Sequence, residues 1–182
     1  ARDERSHLRE KINEGLNSDF LLLSGGVSAG TLDLVPSELQ AAGVIQVFHK
    51  VDLKPGKPLW FGLLEQAERD PCYIFGLPGN PVSSMVCFEL FVRTAIQQFM
   101  GFPSPQPVPL QARIKSEFRT SGTRPTYQPA KVEWESGEAV VSPLKTLGSA
   151  DLRSTVTANA VALFPSGNQL FQAGLQVDTF LW

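Results

Sequence analysis

Residues 72–84 read Cys72-Tyr73-Ile74-Phe75-Gly76-Leu77-Pro78-Gly79-Asn80-Pro81-Val82-Ser83-Ser84, and how this stretch folds decides the architecture around it. The apolar run 72–77 predicts a buried strand, and Pro78-Gly79 ends it. Asn80 is a favoured helix N-cap. Pro81 suits the first helical position, because its ring presets φ and its missing N–H is one the helix start leaves unbonded anyway. From Val82 an apolar-periodic stretch runs to about Met100-Gly101, so the segment predicts strand, glycine turn and helix, with the helix amino end pointing at the strand end.

The same order stands earlier in the chain. Residues 19–24, Asp-Phe-Leu-Leu-Leu-Ser, form a short apolar run ending in Gly25-Gly26, which predicts a strand buried on both faces of a parallel sheet. In open α/β sheets the ligand crevice lies beyond the carboxyl ends of the strands, so Leu23-Ser24-Gly25-Gly26-Val27-Ser28-Ala29-Gly30 and Gly76 to Ser83 can face one cleft. Glycine lets backbone N–H groups surround an anion, and a helix amino end adds roughly half a positive charge, so the pair favours phosphate. The first turn is spaced GGxxxG and not GxGxxG, which separates it from the dinucleotide fingerprint.

Elsewhere in this half, Leu8, Ile12 and Leu16 place an apolar stripe on a helix over 4–17. A second helix is expected over about 34–42, closed by Gly43. Residues 44–51 and 58–63 read as strands flanking the turn Lys54-Pro55-Gly56-Lys57. Pro103, Pro105, Pro107 and Pro109 then form a stiff, extended stretch. Beyond it 110–118, 126–134, 138–144, 159–164 and 176–182 alternate or cluster β-formers between turn signals. The division expected is an α/β domain over 1–102, a linker over 103–109 and a mostly β domain, one small barrel or sandwich, over 110–182.

Net charge is −2, so no global basic field exists to hold nucleic acid or an anionic membrane, and any anion site must be local. The longest apolar candidate, 82–92, is interrupted by Ser83, Ser84 and Glu89 and is too short to cross a bilayer. Cys72 and Cys87 stand in apolar surroundings without CxxC spacing, which favours buried reduced thiols over a disulfide and suggests cytoplasm. The chain opens abruptly on Ala1-Arg2-Asp3-Glu4-Arg5, as a fragment would.

Three cations, Lys50, Lys54 and Lys57, lie between the two turns in sequence, with Asp52 the one acid beside them. Alone they read as a solvated surface; proximity to the glycine turns favours an anion site. Asp33, three residues past Gly30, either holds Mg²⁺ or a phosphate-bound metal through its oxygens or caps the next helix. His49 is expected to be a strand residue satisfied by packing, and His7 lies on the charged side of the first helix. No nucleophile triad is supported.

Ser24-Gly25-Gly26-Val27-Ser28-x-Gly30-x-x-Asp33, then Lys50-x3-Lys54-Pro55-Gly56-Lys57-Pro58, then Gly76-Leu77-Pro78-Gly79-Asn80-Pro81-Val82-Ser83 resemble, in order and spacing, the molybdopterin molybdenumtransferase (MoeA) family, which includes the gephyrin E domain. Arg2-Asp3, Arg124, Gly148-Ser149 and Ala158-Asn159-Ala160 extend the resemblance over nearly the whole chain, which corresponds to the family's carboxyl-terminal part. The resemblance implies a partial three-layer, mostly parallel sheet of the molybdopterin-binding type, lacking its first strand and helix, followed by a small all-β barrel-like domain. The strand position so left open would be an aggregation hazard. The family's two amino-terminal domains would likewise lie outside the chain.

The resemblance also implies chemistry: insertion of molybdate into adenylylated molybdopterin with Mg²⁺ and release of AMP, in a cytoplasmic homodimer that can meet other proteins of molybdenum cofactor biosynthesis. By position, Ser24, Gly25, Gly26, Ser28 and Gly30 would form a pterin-phosphate turn, and Pro78, Gly79, Asn80, Pro81 and Ser83 its second wall. Lys50, Lys54 and Lys57 would neutralise phosphate and molybdate, with Lys50 and Lys54 counted as catalytic beside Asp3 and Asp33, the acids near metal and substrate. Arg124 and Ser149 would supply anion contacts from the β domain. Ala29 and Thr31 depart from the larger residue and the acid more usual in the family. A partner-peptide scaffold of the gephyrin type and a molybdopterin adenylyltransferase are the alternatives. Asp3, Asp33 and the lysines favour chemistry over the first, and the β domain with the Pro78 to Ser83 wording argues against the second.

Overall fold

The computed structural model describes residues 4–27, 34–67, 69–145, 148 and 151–182. The elements are α1 (Arg5–Gly15), β1 (Phe20–Ser24), α2 (Val35–Ala41), β2 (Ile45–His49), β3 (Trp60–Gln66), β4 (Arg69–Leu77), α3 (Pro81–Cys87), a π-helical turn (Phe88–Val92), α4 (Arg93–Phe99), β5 (Leu110–Ile114), β6 (Phe118–Thr120), β7 (Thr126–Glu135), β8 (Glu138–Pro143), a 3-10 turn (Leu152–Thr155), β9 (Ala160–Phe164), β10 (Gln169–Phe171) and β11 (Gln176–Leu181). They group into two compact units, one of Ala1–Val51 and Gly56–Asn80, the other of Asp52–Pro55 and Pro81–Trp182.

In the first unit four strands pair in the order β1-β4-β3-β2. β1 and β4 run parallel, Phe20 facing Tyr73 and Ser24 facing Leu77. β4 with β3, and β3 with β2, are antiparallel, so the sheet is mixed where the sequence suggested a mostly parallel one. The short links explain the difference. Two residues separate β3 from β4, enough for a hairpin and far too few for the crossover that a parallel pair needs. β1 is also not buried on both faces as expected: it forms one border of this four-strand order, and Leu22 is 41% exposed.

Ile12 of α1, Leu39 of α2, Trp60 of β3 and Ile74 of β4 share one apolar cluster with Val27. Glu38 of α2 is only 2% exposed, yet it stays among these groups because Arg9 Nε donates to its Oε2 at 2.8 Å and Arg5 Nε lies 3.2 Å from its Oε1. Two arginines on α1 therefore clamp α2 at its first turn, a contact with no local sequence signature because Glu38 lies 29 residues from Arg9 and further still from Arg5.

In the second unit β11-β5-β8-β7-β9 close into a barrel, and β6 pairs with β10 as a separate ribbon. Ala112, Ala130, Ala160 and Ala162 keep the interior narrow, and Phe164 fills it, with the Phe118 and Phe171 rings 4.8 Å and 4.9 Å away. The long apolar stretch after Asn80 is helical throughout 81–99, with the π-helical turn inside it. There Arg93 N–H bonds back to Phe88 O, and Thr94 Oγ1 donates to Leu90 O at 3.0 Å. The proline stretch is packed on this helix: Pro105 and Pro107, with Glu89, Arg93 and Trp182, line a cavity of about 230 Å³. The helix falls with the β unit, and the two units divide at Asn80.

Cys72 and Cys87 are buried thiols. Burial pushes the Cys87 thiol up to about 12 and raises that of Cys72, the latter opposed by the Arg69 charge. No helix among the described residues is long and apolar enough to cross a membrane.

The clamp on α2 gives a stability prediction. Glu38→Gln keeps the volume but removes the charge that both arginines meet, so it should cost roughly 1–3 kcal/mol, read as a lower urea midpoint at unchanged slope. An unchanged midpoint would mean the arginines contribute nothing to holding α2.

Candidate functional site

The parallel β1/β4 register carries the candidate site. Because Ser24 stands opposite Leu77, the turns that follow the two strands leave the sheet at one edge, side by side. Gly25 N–H donates to Leu77 O at 2.9 Å, extending the ladder one residue past β1. Gly25 and Gly26 have φ of 87° and 68°, the left-handed region where a side chain is strained. The backbones meet closely enough that a Cβ on Gly79 would lie 3.4 Å from the Gly25 Cα. Bare main chain from both turns is thereby placed together, with Gly26, Gly79 and Asn80 exposed and Pro78 buried behind them. Below, Val27 packs so tightly over β4 that a Cβ on Gly76 would lie 2.6 Å from its Cγ1.

Two of the three lysines belong to this unit. Lys50 follows β2 with φ of 75°, an uncommon conformation for a side-chain-bearing residue, held by its own N–H to Leu59 O at 2.8 Å. Val51 N–H bonds to Lys57 O at 2.9 Å, closing the base of the turn. Lys50 and Lys57 are exposed, and neither forms an ion pair among the described residues.

Lys54 belongs to the other unit. It bridges to Thr126, its N–H bonds to Pro125 O at 2.9 Å, and its O accepts from Tyr127 N–H at 2.7 Å. Its Nζ donates to Ser121 O at 3.2 Å, and Arg124 Nη1 donates to Leu53 O at 2.8 Å. The described bonds of Lys54 and Arg124 thus stitch Asp52–Pro55 to the β unit, and the lysines grouped in sequence divide between the two compact units. Pro81 opens α3, as its spacing predicted, while Ser83 within α3 is 3% exposed, a buried position for an expected ligand contact. Asp3, Ser28, Gly30, Asp33 and Ser149 lie outside the described residues.

The sequence reading missed a contact of His49. Its Nε2 lies 2.9 Å from Val27 O, and since a carbonyl only accepts, the ring nitrogen is the donor. The partners are 22 residues apart, and no local pattern announces the bond.

Exposed glycine backbone gathered at one sheet edge, with cations in the same unit that make no ion pair among the described residues, suits a phosphate-bearing ligand. Comparison with protein families agrees in kind: residues 1–98 match the family described as "Probable molybdopterin binding domain". The chain belongs to the molybdopterin-binding domain family. Residues 111–182 match "MoeA C-terminal region (domain IV)", so the β unit carries the domain named for that context. The chain is 29% identical to the molybdopterin molybdenumtransferase of Bacillus subtilis over 90% of its own length and 37% of that protein's. It is 32% identical to gephyrin of Dictyostelium discoideum over 98% of its own length and 28% of that protein's. It therefore spans well under half of each of these curated relatives. Among solved structures, the molybdopterin biosynthesis MoeA protein from Pyrococcus horikoshii aligns over 100% of this chain and 42% of its own, with a TM-score of 0.76 and 26% identity.

In this molybdopterin-binding domain the Lys50 backbone gives a direct test. Lys50→Gly and Lys50→Ala both remove the charge, but glycine adopts positive φ without a clashing Cβ, so the glycine variant should be more stable than the alanine variant by roughly 1 kcal/mol. Equal urea midpoints would contradict the left-handed conformation.

Proposed function

We propose that this chain is part of an enzyme of molybdenum cofactor biosynthesis that inserts molybdate into the dithiolene of adenylylated molybdopterin and releases AMP. The observation that supports the reading best is the pairing of the Gly25-Gly26 and Pro78-Gly79 turns at one sheet edge, in a family whose domain is described as molybdopterin-binding. The Bacillus subtilis relative is named molybdopterin molybdenumtransferase.

In this reading Ser24, Gly25 and Gly26, continued by Ser28 and Gly30, form the turn that takes the pterin phosphate, the Gly25 N–H shaping it through Leu77 O and the Gly26 N–H meeting the ligand, and Pro78, Gly79, Asn80, Pro81 and Ser83 form the second wall. Lys50 and Lys57, unpaired among the described residues, meet developing negative charge as AMP leaves or as molybdate enters. Preorganised cations and donors are worth most where charge develops in a reaction, because they need no reorganisation at that moment. Lys54, Arg124 and Ser149 are proposed as further anion contacts. The first two each have a described bond to backbone that a ligand would have to share or displace.

Mg²⁺ enters through Asp3 and Asp33 alone. Among the described residues no group of three or more His, Cys, Asp or Glu comes together to hold a metal, so no step is assigned to the ion. The working form is proposed to be a cytoplasmic homodimer, with an α/β domain over 1–102 and a β domain over 110–182. The buried thiols favour the reducing compartment, and the homodimer follows from family resemblance.

The test is calorimetric titration of the chain with adenylylated molybdopterin at two salt concentrations. Binding should weaken with salt, as exposed lysines require, and Lys50→Ala or Lys57→Ala should each reduce affinity by roughly tenfold, the size of one charge-assisted hydrogen bond. A folded sample that binds nothing, or salt-independent binding unaffected by either variant, would overturn the assignment of this site.

A further inference from the structure

The end of β2 and the exit of the first glycine turn are joined by a single side chain. His49 closes β2, and its Nε2–H donates to Val27 O at 2.9 Å. Val27 is the last described residue after Gly25-Gly26, and its own side chain is buried against Gly76 of β4. Gly25 and Gly26 are held on the other side by the Gly25 N–H bond to Leu77 O. Two glycines in succession, both at positive φ, are the most permissive pair of residues a turn can contain, so their conformation depends on what fixes the residues at either end. Upstream the β1/β4 ladder does so. Downstream the fixed points are the Val27 side chain and the Val27 carbonyl, and His49 is the described group that holds the carbonyl.

We infer that His49 is a positioning residue: its Nε2–H pins the Val27 carbonyl and so keeps the Gly25-Gly26 main chain in the conformation in which the Gly25 N–H stays on Leu77 O and the Gly26 backbone is exposed at the sheet edge. It touches neither ligand nor reacting atom in this account. Its value for catalysis rests on the function proposed above, in which that turn holds phosphate. The bond also links two parts of the candidate site in one unit, because the residue after His49 is Lys50, whose backbone is left-handed. Losing the donor should therefore loosen the turn and weaken binding, with little effect on the turnover of bound substrate.

The test uses two variants and two readouts on the whole chain. His49→Phe keeps an aromatic ring and removes the donor, while His49→Gln restores an N–H near the position of Nε2. Amide hydrogen exchange at Gly25 reads the turn directly. It should quicken by about fivefold in His49→Phe, the equivalent of one net hydrogen bond, and return to the wild-type rate in His49→Gln. Titration with adenylylated molybdopterin should show the same order, a loss of about fivefold in affinity for His49→Phe and recovery in His49→Gln. Unchanged Gly25 exchange in His49→Phe, or equal exchange in the two variants, would overturn the positioning role whatever the titration gives. Wild-type chain that binds no nucleotide while exchange follows the predicted order would instead remove the function proposed for the turn and leave the positioning of its backbone standing.

Discussion

Parallel pairing of Phe20–Ser24 with Arg69–Leu77 is the constraint from which the candidate site follows. Strands that run the same way end at the same edge, and here each ends in a glycine turn, so the register Ser24 opposite Leu77 brings two stretches of bare backbone into contact. A slip of one residue would turn every side chain of β1 to the other face and separate Gly25 from Gly79. Gly76 adds to the same constraint, since any larger residue there would displace Val27 from the floor of the first turn. The antiparallel strands β3 and β2 extend the sheet on the far side of β4 and carry His49 and Lys50 at the end of β2.

Charge is distributed unequally over this frame. Glu38, deep in the first unit, is met by two arginines. Lys50 and Lys57 are left without ion pairs among the described residues and carry their charge into solvent. Paired charge in the interior and exposed lysines without ion pairs are what the proposed anion site needs, because with a net charge of −2 over the whole chain the field must be local to be useful. Lys54 and Arg124 show the opposite economy. Their donors go to the carbonyls of Ser121 and Leu53, and the segment Asp52–Pro55 becomes part of the β unit through them.

Much of this could be read from residues alone, and the exceptions share a cause. The turn and helix start at Pro78 to Pro81, the helices over Arg5–Gly15 and Val35–Ala41 and the strands that close the barrel all announce themselves through local chemistry: an N-cap, a proline at the first helical position, alternation between turn residues. What the chain conceals is pairing over distance. An apolar run such as Phe20–Ser24 reads as buried whether it stands in the middle of a sheet or at its border, and direction is hidden for β2 and β3, which proved antiparallel. The ribbon of Phe118–Thr120 with Gln169–Phe171 has strands too short to show a period. His49 to Val27 and Arg9 to Glu38 join residues 22 and 29 apart, so neither bond leaves a local trace. The glycine turns of the candidate site were legible as turns because glycine and proline end an apolar run within a few residues. The division of the lysines between two units was not, since it depends on which partners Lys54 finds.

The two glycine turns lie against each other because of the β1/β4 register. Proton NMR on the labelled chain addresses it without a ligand or an assay, by looking for a nuclear Overhauser cross-peak between the α-protons of Gly25 and Gly79. That cross-peak is expected, together with the interstrand contacts of Ser24 with Leu77. Absence of the Gly25–Gly79 cross-peak, with β1 contacts displaced along β4 by one residue or more, would contradict this register.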